Sequence, residues 1–284
     1  MSQTNQIERK NQRSGKLQGT THTRNIGTGT IALLLIAIVA FFLTPFVLLK
    51  LGDTKYGIWT ILITIFGLSG LLDFGLRSVF DQRFTRAWHK GNDRYIAKTY
   101  STGKHITVIL STITVSITTI LIAGLYLAPS VFYGYRTEAV IVMASLGTQA
   151  AATFLFFPHT AVITAVRRFD IRANIAILDT LLTSAATFAC VSYTNNLGLL
   201  ALSCIASKPL SFFLVRSIAK RYYIPPQNVK PSNKLIAIFL KTGFLRFISA
   251  SGNQIIRQID TITVFALCGI ANVAPYALGA TLAA

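Results

Sequence analysis

The composition of the chain excludes an ordinary soluble domain and a disordered protein. Its 284 residues are 52% hydrophobic and 13% charged, and 27 Lys and Arg against 9 Asp and Glu give a formal net charge of +18. Soluble domains carry about 25% charged residues, and disordered chains have low hydrophobicity. Because a bilayer-spanning helix takes about 20 residues, the chain has room for about seven or eight crossings. The sequence therefore indicates an all-α, polytopic membrane protein.

Apolar runs of spanning length follow one another along the chain. The seven complete predicted spans cover residues 26–49, 56–80, 106–128, 139–166, 175–193, 197–215 and 235–268, and a partial one runs from Tyr276 onward. The first run is longer than the apolar core of a signal peptide, about 7 to 15 residues, so we expect it to remain as an anchor. Pro45, Pro158 and Pro209 lie within runs and predict kinks there, which neighbouring helices in a membrane bundle can accommodate.

The basic residues are concentrated in alternate connections between these runs. Nineteen Lys and Arg lie in residues 1–25, 81–104, 167–172 and 216–234, whereas the other connections contain only Lys50, Lys55 and Arg136. In a soluble protein a charge of +18 would suggest nucleic-acid binding, but this alternation is the positive-inside signature of membrane proteins. We therefore expect no nucleic-acid partner, a basic cytoplasmic tail over residues 1–25 and a basic cytoplasmic linker over residues 216–234.

The run over residues 235–268 is too long for one straight crossing and carries a polar stripe. At about 100° per residue, one side of a helix here holds Arg246, Ser249, Asn253, Arg257 and Asp260. Such a stripe requires water or protein beside it. We predict that this helix lines an aqueous cavity; the alternative is an interfacial helix that lies on the membrane surface.

Ionisable side chains inside the predicted spans form the candidate site. Each costs about 2.5 to 3.5 kcal/mol to insert, so each needs a partner or a function. The acidic ones are Asp73, Asp179 and Asp260, and the cationic ones are Arg77, Lys208, Lys241, Arg246 and Arg257. Asp73 and Arg77 lie four residues apart, which is the spacing of an ion pair across one helical turn.

The excess of cations over carboxylates in this set predicts a cavity that attracts an anion. Guanidinium groups bind phosphate oxygens in pairs and an ammonium group acts as a point charge, so a phosphate or pyrophosphate group is the natural ligand. The predicted contacts to it are Arg246, Arg257, Lys208, Lys241 and Asn253. The candidates for ion coupling or structural pairing are Asp73, Arg77, Asp179 and Asp260, because a carboxyl in a dry site titrates closer to neutral pH.

The sequence contains no catalytic or metal-binding pattern. Two Gly-Lys pairs, at Gly15 and Gly103, lack the earlier glycine and the following Ser or Thr of a phosphate-binding loop. The three cysteines and four histidines show no ligand spacing, so no metal and no cofactor are predicted. There is also no pair of aspartates one residue apart, an arrangement with which many sugar-nucleotide transferases hold a metal. We therefore expect that the protein is not an enzyme.

Several segments together resemble one family of membrane proteins. They are TPFVLLKLGDTKYGIW at 44–59, LLDFGL at 71–76, KGND at 90–93, QID at 258–260 and GIANVAPYA at 269–277. The pattern is a proline before a Leu-Gly turn, then Tyr-Gly-Ile-Trp at the start of the second helix and Leu-Asp-Phe-Gly-Leu at its end. In these segments the chain resembles the polysaccharide exporters of the multidrug, oligosaccharidyl-lipid and polysaccharide (MOP) transporter superfamily.

The resemblance implies a MATE-like bundle of two six-helix lobes that rock about a central cavity. It implies that residues 26–215 form the first lobe and that residues 235–284 form helix seven and part of helix eight of the second lobe. Family members generally have twelve or more helices. We therefore interpret the chain as a truncated product, which holds one lobe and the beginning of the other.

The function that the resemblance implies is that of a flippase in the bacterial inner membrane. Its cargo would be undecaprenyl-pyrophosphate-linked oligosaccharide, such as an O-antigen or another surface polysaccharide repeat, moved by alternating access. A polysaccharide polymerase and chain-length machinery would act beside it. A hydrated, positively charged passage lets the head group cross while the lipid tail stays in the bilayer. The alternatives are an organic-cation or drug exporter of the same superfamily, and a membrane-embedded glycosyltransferase or polymerase.

Overall fold

The chain folds into a bundle of α-helices, with no strand in the part that the structure describes. The computed structural model describes the backbone of residues 2–67, 75–127, 132, 134–226 and 229–283, and the side chains of these residues except 2–26, 249–250, 253–258, 271, 278 and 280–283. The helices in these ranges are α1 (Ser2–Gly67), α2 (Leu76–Lys90), α3 (Asp93–Leu127), α4 (Arg136–Ala165), α5 (Phe169–Tyr193), α6 (Leu197–Ala206), α7 (Lys208–Tyr222), α8 (Asn233–Cys268) and α9 (Ile270–Ala283).

Five helical segments among the described residues are long and apolar enough to cross a membrane. They are Gly27–Gly67, Asp93–Leu127, Arg136–Ala165, Phe169–Tyr193 and Leu197–Tyr222. Large apolar side chains such as Phe42, Ile120 and Phe213 are exposed on the outside of the bundle. A soluble protein rarely exposes so continuous an apolar surface, whereas lipid covers it in a membrane. The predicted all-α, polytopic membrane bundle is confirmed.

A sharp break at Gly52 divides α1 into two helical arms. Gly52 has φ 77° and ψ 165°, a conformation that is accessible to glycine because it has no Cβ atom. The first arm contains the first predicted span, and the second arm contains the beginning of the second span. The Leu-Gly turn expected from the sequence is therefore present, and Pro45 lies within the helical arm before it.

A second break separates α6 from α7 within the sixth predicted span. Ser207 stands between the two helices, and Pro209 lies in the first turn of α7. Proline is tolerated in a first turn because the backbone N–H that it lacks would have no partner inside the helix. The kink predicted at Pro209 is thus present as a break at Ser207, whereas Pro158 lies inside the unbroken α4.

The basic connection over residues 81–104 is mostly helical. α2 continues to Lys90, and the chain turns at Gly91, whose backbone N–H donates to Trp88 O over 3.1 Å. The side chain of Asn92 then accepts from the backbone N–H of Tyr95 over 3.0 Å at the beginning of α3. One glycine and one capping side chain are enough to form the turn between α2 and α3. The basic residues of this segment therefore lie on the two helices, which continue past the ends of the apolar runs.

α4 is the central helix of the described bundle, because it packs against α1, α2, α3, α5, α6 and α7. Two clusters of buried apolar side chains surround it, one at each end. The cluster at the end with the basic connections includes Phe84, Phe157 and Phe239. The other includes Leu62 and Val142. Helices from both halves of the chain meet in each cluster, and this packing holds α2, α5 and α7 around α4.

An ion pair joins three helix beginnings at the end of the bundle opposite the basic connections. Lys55 Nζ lies 3.3 Å from Glu138 Oε1 and also donates to the carbonyl of Asn195. The other oxygen of Glu138, Oε2, accepts from the backbone N–H of Leu197 over 3.1 Å. Glu138 therefore both neutralises Lys55 and caps the first turn of α6, a position where a helix favours negative charge.

Candidate functional site

A cavity of about 270 Å³ lies between α2, α4, α5 and α7, and we call it the α5–α7 pocket. Its lining residues are Arg77 from α2, Thr153, Phe156, Phe157 and Thr160 from α4, Arg172, Ile175, Ala176 and Asp179 from α5, and Lys208, Ser211 and Val215 from α7. On α4, α5 and α7 they recur at intervals of three or four residues, the spacing that places side chains on one side of a helix. One face of each of these three helices thus lines the pocket.

Asp179 and Lys208 form an ion pair in the wall of this pocket. Lys208 Nζ lies 2.6 Å from Asp179 Oδ2, and both side chains are about one fifth exposed, at 21% and 24%. The hydroxyl groups of Ser207 and Ser211 donate to Asp179 Oδ1 over 2.6 and 2.9 Å. The break at Ser207 brings this group of polar residues from α7 against α5. Asp179 therefore receives three hydrogen bonds, an arrangement that matches a carboxylate.

Two guanidinium groups stand nearer the end of the pocket with the basic connections. Arg77 lies over the ring of Phe157, with its Cζ atom 5.0 Å from the ring centroid. Arg172 donates from Nη1 to Thr164 Oγ1 over 2.9 Å. A cation over an aromatic face and a hydrogen bond to a hydroxyl both fix the side chain without removing its charge. These two groups therefore remain positive and available to an anion.

Asp81 lies one helical turn after Arg77 on α2, beside the two guanidinium groups. Its Oδ1 atom is buried and has no hydrogen-bond partner in the described part of the chain. Burial raises the pKa of the Asp81 carboxyl above its ordinary value, while the positive charges of Arg172 and Arg77 act in the opposite direction. Asp81 is thus a carboxyl whose ionisation changes the charge beside the pocket.

The described lining of the α5–α7 pocket has three cations and one carboxylate, which are Arg77, Arg172, Lys208 and Asp179. Lys208 is neutralised by Asp179, and this leaves the two guanidinium groups in excess. An arginine can donate two parallel hydrogen bonds to phosphate or carboxylate oxygens. A pocket of this charge favours an anion. Among the described residues, no group of three or more His, Cys, Asp and Glu could hold a metal ion.

The structure brings together three of the site residues predicted from the sequence. Arg77, Asp179 and Lys208 line the α5–α7 pocket. Lys241 and Asp260 lie on exposed parts of α8. Asp73 lies outside the described residues, as do the side chains of Asn253 and Arg257, so the expected pairing of Asp73 with Arg77 and the contacts of Asn253 and Arg257 stay predictions.

Arg246 occupies a different place from the one that the polar stripe suggested. Its Nη1 and Nη2 atoms donate to Ser78 Oγ over 2.9 Å and to Gln82 Oε1 over 2.6 Å, and both acceptors are on α2. It therefore lies at the contact of α8 with α2, outside the lining of the α5–α7 pocket. Arg246 thus contacts protein, and it does not share this cavity with Lys208.

Sequence reasoning missed Arg172 and the two serines that bind Asp179. Arg172 was assigned to a basic connection, because it lies before the predicted start of the fifth span. It stands seven residues before Asp179 on the same helix, with Ile175 and Ala176 between them on the same face. This helical spacing is a signal that could have joined Arg172 to Asp179. No pattern in the sequence gives the contact between Asp179 and Ser211, which depends on how α5 packs against α7.

Solved structures of other proteins are similar to this fold. No protein-family model matches the sequence, and no curated protein matches it. One similar solved structure is an inward-facing conformation of a multidrug resistance MATE family transporter of the MOP superfamily, with a TM-score of 0.61, 14% identity and 87% of this chain covered. Another, described as protein A, has a TM-score of 0.68, 16% identity and 92% of this chain covered.

These likenesses establish the fold of the described helices. This chain spans 59% of the length of the first structure and 60% of the second. At such low identity, a shared fold carries no information about substrate, because unrelated functions recur on one fold. The expected MATE-like helical bundle is confirmed.

Proposed function

We propose that the chain belongs to a transporter of the MOP superfamily that moves an anionic cargo across a membrane. The observation that carries the proposal is the α5–α7 pocket, in which Arg77, Arg172 and Lys208 face one cavity whose described lining includes one carboxylate, that of Asp179. Charges at membrane depth are costly, and they are found where they line a cavity or a substrate path. The likeness in fold to a MATE transporter supports the transporter class.

The cargo we propose is a lipid-linked oligosaccharide, held by its pyrophosphate. The guanidinium groups of Arg77 and Arg172 would each bind phosphate oxygens in pairs. The sequence segments that resemble polysaccharide exporters support undecaprenyl pyrophosphate as the carrier. In this proposal the chain lies in the bacterial inner membrane with a cytoplasmic N-terminus, and a polysaccharide polymerase and chain-length machinery use the product.

The ion pair of Asp179 and Lys208 has a role in this transport cycle. An arriving phosphate competes with Asp179 for the ammonium group, because both are anions of similar hydrogen-bonding geometry. Since Lys208 is the first residue of α7, release of the pair removes the charged contact between the beginning of that helix and α5. Binding of the cargo is thereby coupled to a change in helix packing, which alternating access requires.

A binding experiment tests the charge of the cargo. The purified chain in detergent is titrated with farnesyl pyrophosphate, a short isoprenyl pyrophosphate, and heat is measured by calorimetry. We expect binding by the unaltered chain and a loss of at least about tenfold in the double variant Arg77→Gln/Arg172→Gln, since each charged hydrogen bond is worth about 1.5 to 3 kcal/mol. The matched control is Arg94→Gln/Lys98→Gln, which removes two exposed charges from α3. Equal losses in both variants, or no binding at all, contradict the proposal.

A second candidate is an exporter of organic cations within the same superfamily. It is favoured by the description of the MATE relative as a multidrug resistance transporter. Such a cargo would bind beside exposed carboxylates, whereas Asp179 is already paired with Lys208. Tetraphenylphosphonium serves as the competing probe. Binding of this cation together with no response to farnesyl pyrophosphate would replace the first proposal with the second.

A cell-based experiment tests the finer assignment of polysaccharide export. In cells that express the protein, Lys208→Ala and Arg257→Ala should abolish surface polysaccharide while the amount of protein in the membrane stays unchanged. Immunoblots of membranes and of surface polysaccharide measure both quantities. Normal surface polysaccharide in both variants contradicts the roles given to these residues. Sugar transfer by the purified protein would point instead to a membrane-embedded glycosyltransferase.

A further inference from the structure

A second cavity lies on the other side of the α4 and α7 pair from the α5–α7 pocket. It measures about 230 Å³ and is lined by residues of α3, α4 and α7 and of the segment that follows α7; we call it the α3–α7 groove. On α7, Lys208, Ser211 and Val215 face the pocket, whereas Phe212, Arg216 and Lys220 face the groove. The groove is therefore a separate site with its own side chains.

The charged side chains of the groove are all positive. Lys104 comes from α3, and Arg216 and Lys220 come from α7. No carboxylate occurs among the described lining residues, and none of the three cations forms an ion pair with a described carboxylate. All three are exposed, so an external ligand can reach them. Three like charges repel one another, and an anion between them relieves that repulsion.

Two tyrosines and a histidine add further hydrogen-bonding groups to the groove. The hydroxyl of Tyr223 is buried and has no hydrogen-bond partner among the described residues. The hydroxyl of Tyr100 lies 3.5 Å from Nδ1 of His159. All three side chains line the groove. A buried donor without a partner is costly, and a ligand oxygen would satisfy the hydroxyl of Tyr223.

The groove continues into an apolar outer surface. Val108 and Leu155, which line it, are 47% and 39% exposed, and Phe213 on α7 is 66% exposed. The cationic residues lie toward the end of the bundle with the basic connections, where α7 ends, and Val108 lies further along α3. A ligand that fits both parts has an anionic head at one end and an apolar tail along the helices.

We propose that the α3–α7 groove binds the phosphate head group of an anionic phospholipid. Basic pockets between membrane helices near the cytoplasmic surface recognise such head groups, and each Lys or Arg near an anionic surface contributes about 1 kcal/mol. Lys104, Arg216 and Lys220 bind the phosphate, the hydroxyl of Tyr223 donates to it, and one acyl chain lies against Val108 and Leu155. The lipid fills the space between α3 and α7 and fixes the outer side of α7.

Native mass spectrometry of the purified chain tests this site. The chain is mixed with phosphatidylglycerol or with phosphatidylcholine of the same acyl chains, and the lipid-bound fraction is measured. We expect a preference for phosphatidylglycerol that falls by about tenfold or more in Lys104→Gln/Arg216→Gln/Lys220→Gln. The control Arg94→Gln/Lys98→Gln/Lys234→Gln removes three exposed cations at the same end of the bundle and should keep the preference. A charge-retaining variant, Lys104→Arg/Arg216→Lys/Lys220→Arg, should also keep it.

The other outcomes overturn the proposal. Equal losses in the groove variant and the control would assign the preference to general surface charge. No preference in the unaltered chain would exclude a lipid site. Displacement of the lipid by glycerol phosphate at a similar concentration would assign the groove to a free phosphate. Binding of farnesyl pyrophosphate in the α5–α7 pocket is measured in a separate experiment. A negative result for the lipid site therefore does not contradict the transport proposal, and a negative result for farnesyl pyrophosphate does not contradict the lipid site.

Discussion

Lys208 Nζ and Asp179 Oδ2 lie 2.6 Å apart, so the helix break in the sixth predicted span is tied directly to α5. The two residues are separated by 29 positions in the sequence. The pair joins the break between α6 and α7 to the carboxylate of Asp179. This carboxylate also accepts hydrogen bonds from two serines. The energetics of the pair therefore decide how firmly the beginning of α7 is fixed.

The first prediction concerns this ion pair. Lys208→Met or Asp179→Leu alone should lower the free energy of unfolding by about 1 to 3 kcal/mol, because each leaves an unpaired charge in a membrane bundle. The double variant Lys208→Met/Asp179→Leu should lose less than the sum of the two. Thermal unfolding in detergent, arranged as a double-mutant cycle, measures the coupling. Additive losses would mean that the two side chains do not stabilise each other.

The second prediction concerns pH and Asp81. Because burial raises the pKa of Asp81, this carboxyl takes up a proton at a higher pH than an exposed aspartate does. As the pH falls through that raised pKa, the negative charge beside Arg77 and Arg172 disappears. The affinity of the α5–α7 pocket for sulfate, whose own charge stays constant, should therefore rise on acidification. Asp81→Asn should bind more tightly at neutral pH and show a flatter profile.

The raised pKa of Asp81 also determines how the stability of the fold depends on pH. A carboxyl whose pKa is raised by folding contributes stability below its unfolded pKa and loses that contribution as the pH rises through its folded pKa. Asp81→Asn should therefore flatten the dependence of unfolding on pH across that window. A sulfate affinity that falls on acidification, or an Asp81→Asn profile identical to that of the unaltered chain, would contradict both expectations. Titration calorimetry and thermal unfolding measured over pH provide the two readouts.

The third prediction concerns the close contact between α3 and α4. A Cβ atom on Gly147 would overlap the side chain of Thr118. Gly147→Val should therefore destabilise the protein by about 1 to 3 kcal/mol, the usual cost of overpacking. Adding Thr118→Ala should recover part of this loss, as measured by thermal unfolding in detergent. Gly124→Val on α3, where an added Cβ atom meets open space, is the control and should cost much less.

The fourth prediction concerns Glu138 at the opposite end of the bundle. Glu138→Ala removes both the partner of Lys55 and the acceptor for the backbone N–H of Leu197. We expect a loss of about 1 to 3 kcal/mol in the free energy of unfolding, because Lys55 loses its counter-ion and the backbone N–H of Leu197 loses its acceptor. Glu138→Gln keeps an oxygen for the N–H of Leu197 and should lose less. Equal losses would show that the charge, and not the helix cap, is what matters.

The helical bundle could be predicted because the length of each apolar run is read directly from the sequence. The turn at Gly52 and the break near Pro209 follow from residues whose backbone chemistry leaves few choices. The helices that run through the basic connection over residues 81–104 could not be bounded from its charges, since the charges mark the end of an apolar run and not the end of a helix. Helix ends depend on capping residues such as Asn92.

The candidate site could be predicted only as a set of residue types. Asp179 and Lys208 were identified separately by their cost in a membrane, but their pairing depends on the packing of α5 against α7. Arg246 carries the same charge as Lys208, yet it contacts Ser78 and Gln82 on α2. No periodicity within α8 distinguishes a side chain that faces water from one that faces a neighbouring helix.

The position of α7 between two cavities has a mechanical consequence. One side of this helix faces the α5–α7 pocket and the other faces the α3–α7 groove. A sideways displacement of α7 toward α5 must narrow the α5–α7 pocket and widen the α3–α7 groove, because residues of this helix line both cavities. Through such a displacement, occupants of the two spaces would be thermodynamically linked, and each would alter the affinity for the other by the same factor.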